Sequence, residues 1–174
     1  REALAGAGTT NAGLVFGGEA PAITTATEEF TYADYQVGVW SGKSPLITSR
    51  ASAAGAGVTN ASLVFGGNDP VITTTEEYNG SSWSVGGALI NGTRYPGGTG
   101  LQDAALRAAG YDPPSYVTCT EEYNGSSWSA GGATINAKAT MGVTGIQNAA
   151  VMFGGEPRQN TTEEYNGSSW SAGN

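Results

Sequence analysis

The segment Thr75-Glu-Glu-Tyr78-Asn79-Gly80-Ser81-Ser82-Trp83-Ser84 occurs again, letter for letter, as Thr120–Ser129 and Thr162–Ser171. A looser copy opens with Thr27-Glu-Glu-Phe30, so the marker Thr-Glu-Glu-aromatic recurs at spacings of 48, 45 and 42 residues. Tryptophan follows each marker, at Trp40, Trp83, Trp128 and Trp170. A fixed period of this size is the mark of a repeat architecture and governs every other reading of the chain.

Working outward, each period holds four strand-like pieces. A run of small residues such as Ala53-Ala-Gly-Ala-Gly57 comes first, and its lack of bulk suits an innermost strand crowded around an axis. An apolar run closed by glycine follows: Leu14–Gly18, Leu63–Gly67 and Val151–Gly155. Apolar residues at every position fit a strand buried on both faces. Thr-Thr-Glu-Glu-Tyr mixes polar and bulky residues, as on a half-exposed strand. The last piece begins at Ser-Ser-Trp-Ser. Asn79-Gly80, Asn124-Gly125 and Asn166-Gly167 join pieces three and four, and Asn-Gly predicts a type I′ hairpin with positive φ at both central residues. No window shows sustained helical periodicity.

Four antiparallel strands in 40–50 residues is the arithmetic of a propeller blade. The order apolar run, Gly-Gly, Tyr, Trp resembles the kelch motif over essentially the whole chain. The expected fold is all-β: a kelch-like β-propeller in one repeat domain, 1–174, with blades near 1–38, 39–83, 84–128 and 129–174. Copy one departs by reading Phe30-Thr-Tyr-Ala-Asp-Tyr35 without Asn-Gly. Copy three reads Leu106-Arg-Ala-Ala-Gly110 and carries Tyr111-Asp-Pro-Pro114, either a specialised binding element or drift. The four blades can form a closed ring, half of a ring completed by another chain, or part of a longer repeat protein. Open end blades would leave apolar faces bare, which favours the last two.

Composition narrows the chemistry. Among 174 residues there are 28 glycines, 13% charged residues, no histidine and a net charge of −8. An acidic surface repels phosphate, so neither nucleic acid nor an anionic membrane is an expected partner. No apolar stretch is long enough to span a membrane as a helix. The chain starts at Arg1 rather than Met, so the missing signal peptide decides nothing. Without histidine and with Cys119 alone, no serine or cysteine triad and no ordinary zinc site can be assembled. Asp69, Asp103 and Asp112 are isolated, which gives no calcium loop. The expectation is no catalytic, cofactor-binding or metal residue, no cofactor and no enzyme activity, with ligand-binding residues unknown.

Several motifs read as architecture. Gly6-Ala-Gly8-Thr-Thr-Asn11 lacks the third glycine and the helix of a dinucleotide loop. The glutamate pairs Glu28/Glu29, Glu76/Glu77, Glu121/Glu122 and Glu163/Glu164 lie on adjacent strand positions facing opposite ways, so the two carboxylates of a pair cannot flank one bond. One member is expected to meet solvent and the other to bridge blades. Arg50, Arg94, Arg107 and Arg158 can reach sugar or carboxylate but form no cluster. Cys119 reads as a small buried strand residue. Sequons at Asn60, Asn79, Asn91, Asn124, Asn160 and Asn166 include three that the turn itself explains. Tyrosine and tryptophan that recur in each blade read as packing rather than sugar platforms.

The run Thr-Glu-Glu-Tyr-Asn-Gly-Ser-Ser-Trp-Ser resembles kelch-type repeats of marine bacteriophages. That resemblance implies a virion component, such as a tail fibre, spike or capsid decoration, displaying loops to a host surface. The resulting expectation is an extracellular or virion recognition module for surface glycan, working with other assembly subunits, as a homo-oligomer or part of a longer chain. The alternatives are a secreted or cell-surface kelch scaffold for protein partners, and the accessory propeller of a carbohydrate-active enzyme.

Overall fold

The computed structural model describes residues 2–9, 12–19, 21–31, 39–67 and 71–174. It is all-β: four four-stranded antiparallel sheets form the blades of a β-propeller, and the described residues contain no helix. Blade 1 comprises β1 (Ala5–Thr9), β2 (Ala12–Phe16), β3 (Thr27–Thr31) and β4 (Val39–Lys43). Blade 2 comprises β5 (Ala54–Val58), β6 (Ala61–Phe65), β7 (Thr75–Tyr78) and β8 (Trp83–Val85). Blade 3 comprises β9 (Gly97–Leu101), β10 (Ala104–Asp112), β11 (Ser115–Tyr123) and β12 (Trp128–Gly131). Blade 4 comprises β13 (Gly142–Ile146), β14 (Ala149–Phe153), β15 (Thr162–Tyr165) and β16 (Trp170–Ala172). Fourth strands run past the expected limits at 38, 83 and 128, so each of the first three blades ends in the crossover that follows it.

The inner strands meet in succession, β1 on β5, β5 on β9 and β9 on β13. Their small residues are required there: a Cβ on Gly55 would stand 2.8 Å from the Phe16 ring and 2.9 Å from the Gly6 carbonyl oxygen. Among the described residues no comparable packing joins β13 to β1. The core lies between blades. Phe16 of β2 meets Trp83 edge-on at 5.1 Å, and Phe65 of β6 meets Trp128 at 4.8 Å. Burying each phenylalanine contributes about 1.5–3 kcal/mol, and each aromatic contact adds about 0.5–1.5 kcal/mol. Every internal joint also carries an indole N–H bond, from Trp83 to Thr27, Trp128 to Thr75 and Trp170 to Thr120.

The Asn-Gly turn is not type I′. Only the glycines Gly80, Gly125 and Gly167 have positive φ. The loop has four residues, closed by Asn79 N–H to Ser82 C=O, and Asn79 Oδ1 accepts from the Ser81 and Ser82 amides at 3.0 and 2.9 Å. An asparagine side chain that substitutes for a backbone acceptor removes the need for a second left-handed residue. The copy-one ending at 32–35 and Asp69 lie outside the described residues.

Candidate functional site

The third marker strand is more buried than its composition suggests, because its carboxylates are absorbed by partners. Glu76 is 1% exposed and accepts the Ile47 and Thr48 amides of the incoming crossover, at 2.7 and 3.0 Å. Arg50 Nη2 completes the site at 2.5 Å. Glu163 repeats this with the Ile135 and Asn136 amides and Lys138 Nζ at 2.9 Å. Burial pushes the Glu163 carboxyl up, but the Lys138 hydrogen bond and the backbone donors outweigh it and hold the group below its ordinary value.

The second glutamate of a pair faces the next blade. Glu77 accepts the Tyr123 hydroxyl at 2.5 Å and Glu122 accepts Tyr165 at 2.6 Å. Burial, then the hydrogen bond to the carboxylate, pushes both phenols up to about 12. In these two pairs neither glutamate serves only solvent, which corrects the expectation: opposite facing is right, but both faces of the strand are interfaces. Glu29 instead pairs with Lys43 at 3.3 Å.

Arg107 replaces the valine of the second strand and supplies from β10 the cation that blade 3 lacks in its crossover. Thr93 stands where Arg50 and Lys138 stand in the other blades. The guanidinium donates to Thr93 Oγ1 at 2.6 Å and to the Cys119 carbonyl at 3.0 Å, and lies 3.6 Å from Glu121. Cys119 is half-buried rather than buried, and its sulfur accepts from Arg107 at 2.8 Å. Arg50 and Arg107 are therefore interior, and Arg158 is exposed.

What remains for function is the lengthened hairpin of blade 3. β10 and β11 each have nine residues, against five and four in β6 and β7. The pairing breaks register between Ala108 and Gly110, with Ala109 at φ 51°. A bulge of this kind bends the ribbon and re-aims it. Beyond it Tyr111 pairs with Tyr116 and Asp112 with Ser115, leaving Pro113-Pro114 as the tip. Two backbone bonds of 2.8 Å between Arg94 and Tyr111 tie the hairpin to the preceding crossover.

A cavity of about 480 Å³ lies against one side of the hairpin, lined by Tyr95, Tyr111, Pro114, Tyr116, Thr140 and Glu156 among others. The Tyr111 and Tyr116 rings are 5.2 Å apart and inclined at 56°. Tyr95 and Tyr116 are 40% and 37% exposed, so their faces are available to a ligand. Tyr116 also lines a second hollow of about 350 Å³ with Asn91, Asp112 and Cys119. Tyr95 and Thr140 reach further, to the axial mouth, where Leu4, Ala53, Pro96 and Met141 come together from four blades. Flat aromatic faces with one carboxylate and several hydroxyls can hold a ligand that is apolar on its faces and hydroxylated at its edges. Among the described residues no group of three or more His, Cys, Asp or Glu side chains could hold a metal ion.

No known family model matches the chain, and no curated protein matches it. The site therefore rests on its own geometry. Of the residues singled out in the sequence, only the Tyr111–Pro114 segment takes part through an expected binding element; Asp103 is remote, at the β9–β10 turn on the opposite end of the blade. Tyr95, Tyr116 and Glu156 were missed. The available signal was irregularity: tyrosines 95, 111 and 116 have no counterparts in the other copies.

Proposed function

We propose that this chain is a kelch-like recognition module that binds surface glycan in the tyrosine-lined cleft of its third blade, as part of a virion or comparable extracellular assembly. The observation that carries the reading is the convergence of three non-repeating tyrosines and Glu156 on the one hairpin that outgrows the blade pattern. Tyrosines that recur at positions 78, 123 and 165 are buried in blade joints, whereas none of these three is a buried core residue. The resemblance to phage-type repeats supports the virion setting, and the acidic, low-charge composition is compatible with it.

Pyranose rings present an apolar face to tyrosine and hydroxyl edges to Glu156 and Thr140. The test is a glycan array probed with the full chain and with Tyr116→Ala. A bound glycan class is expected, with affinity for it falling by about thirty-fold in the variant, since a central aromatic anchor is worth about 2 kcal/mol or more. Unaltered binding by Tyr116→Ala, with the melting point unchanged, would place the ligand elsewhere. Binding of no glycan, together with capture of a protein, would favour the scaffold reading.

A further inference from the structure

The two ends of the propeller are the two halves of a joint that already occurs three times inside it. At the first two joints a second-strand phenylalanine lies over a glycine of the next inner strand: Phe16 over Gly55 and Phe65 over Gly98, each ring 2.8 Å from where a Cβ would stand. At the third joint the sizes are exchanged. Ala108 replaces the phenylalanine, and Val143, at the glycine position, packs against the cluster that holds Ala108. Large faces small in each case.

Phe153 and Gly6 are the remaining pair of this series, at opposite ends of the chain, and both are exposed. Phe153 is 48% exposed where Phe16 and Phe65 are at most 1%. Trp40 is 50% exposed where Trp83, Trp128 and Trp170 are at most 7%. Thr162 stands in blade 4 where Thr27, Thr75 and Thr120 accept indole N–H groups. A line of backbone bonds around the axis runs from Ser52 N–H to Ala3 C=O, Tyr95 N–H to Ser52 C=O and Thr140 N–H to Tyr95 C=O. Its ends are the Ala3 N–H and the Thr140 carbonyl.

We infer that a second copy of this chain docks head to tail on the first, so that Phe153 of one copy seats over Gly6 and against Trp40 of the other. A copy of this chain supplies together the glycine, the indole and the backbone donor that the blade-4 face requires. Phe30 stands where tyrosines 78, 123 and 165 stand in the other blades, so this joint forms without a phenol bond to Glu164. A contact of this kind uses two different surfaces and continues from copy to copy until a ring closes.

The test is sedimentation velocity with light scattering on the full chain and its variants, each checked for folding by far-ultraviolet circular dichroism. The wild type should run at twice the chain mass or a higher multiple. Phe153→Arg, Gly6→Val and the surface change Glu164→Arg should each lose that species. Mixing Phe153→Arg with Gly6→Val should give a one-to-one complex and nothing larger, because each variant retains the half that the other lacks. The double variant Gly6→Val/Phe153→Ala copies the exchanged sizes of Ala108 and Val143 and should recover the assembly. A monomeric wild type would overturn the inference. So would assembly that survives both single changes, or folded single variants that do not pair when mixed.

Discussion

Arg107→Val gives the second strand of blade 3 the valine that blades 1 and 2 carry at the same place, positions 15 and 64. The change removes the cation beside Glu121, whose carboxylate is 1% exposed and would keep only the Ile90 and Asn91 amides, at 2.7 and 3.1 Å. It also strips the donor from Thr93 Oγ1 and from the Cys119 carbonyl. Breaking a buried pair from one side costs about 3–5 kcal/mol. At about 2–4 °C per kcal/mol for a chain of this size, the melting point should fall by roughly 6–20 °C. Adding Thr93→Arg returns the cation to the position held by Arg50 and Lys138, so the double variant should recover more than half of the loss. Thermal and urea denaturation of the four proteins in the cycle measure the coupling. A cost for Arg107→Val below about 1 kcal/mol, or a double variant no more stable than the single, would refute the relocated-cation account.

Tyr165→Phe removes the hydroxyl that donates to Glu122 at 2.6 Å and should lower stability by about 1.5–3 kcal/mol, read from the urea midpoint. Because the Tyr123 and Tyr165 phenols are pushed up to about 12 from 10.0, they contribute stability fully present below pH 10 that is lost as pH rises toward 12. In an alkaline absorbance titration these two tyrosines should ionise last, together with unfolding. Glu163 has the opposite sign: held below 4.5, it contributes stability present above that pH and lost as the solution is acidified below it. Lys138→Met should flatten this acid limb in urea melts taken from about pH 7 to about pH 3. In a chain kept monomeric by Phe153→Arg, Trp128→Ala should cost about 3–5 kcal/mol, and Trp40→Ala less than about 1 kcal/mol. Trp128 is 6% exposed and Trp40 50%.

The blade pattern was readable because its signals are local and repeated. Glycine crowding, apolar second strands and the Asn-Gly loop each lie within a few residues, and several copies agree. The type of the Asn-Gly turn was not readable, since it depends on where the Asn79 side chain bonds rather than on the residue pair alone. The glutamate roles were half legible: alternation places the two carboxylates on opposite faces, but only the assembled blades show that Glu77 meets Tyr123 and Glu76 meets Arg50. The structural role of Arg107 was not readable, because its partner, Thr93, is a neutral residue in a different segment. The candidate site was hidden for the same reason. Tyr95 comes from a crossover, Tyr111 and Tyr116 from the hairpin and Glu156 from the segment after β14, and only the fold brings them to one cavity.

The proposed glycan recognition would act through the third-blade hairpin. Its most direct test is a backbone-amide NMR titration of the isotope-labelled full chain with neutral and acidic oligosaccharides. The expected shifts saturate with ligand and map to Tyr95, Tyr111, Tyr116, Thr140 and Glu156. Shifts confined to the Asn-Gly turns at the opposite end of the blades, or none with any saccharide, would contradict it.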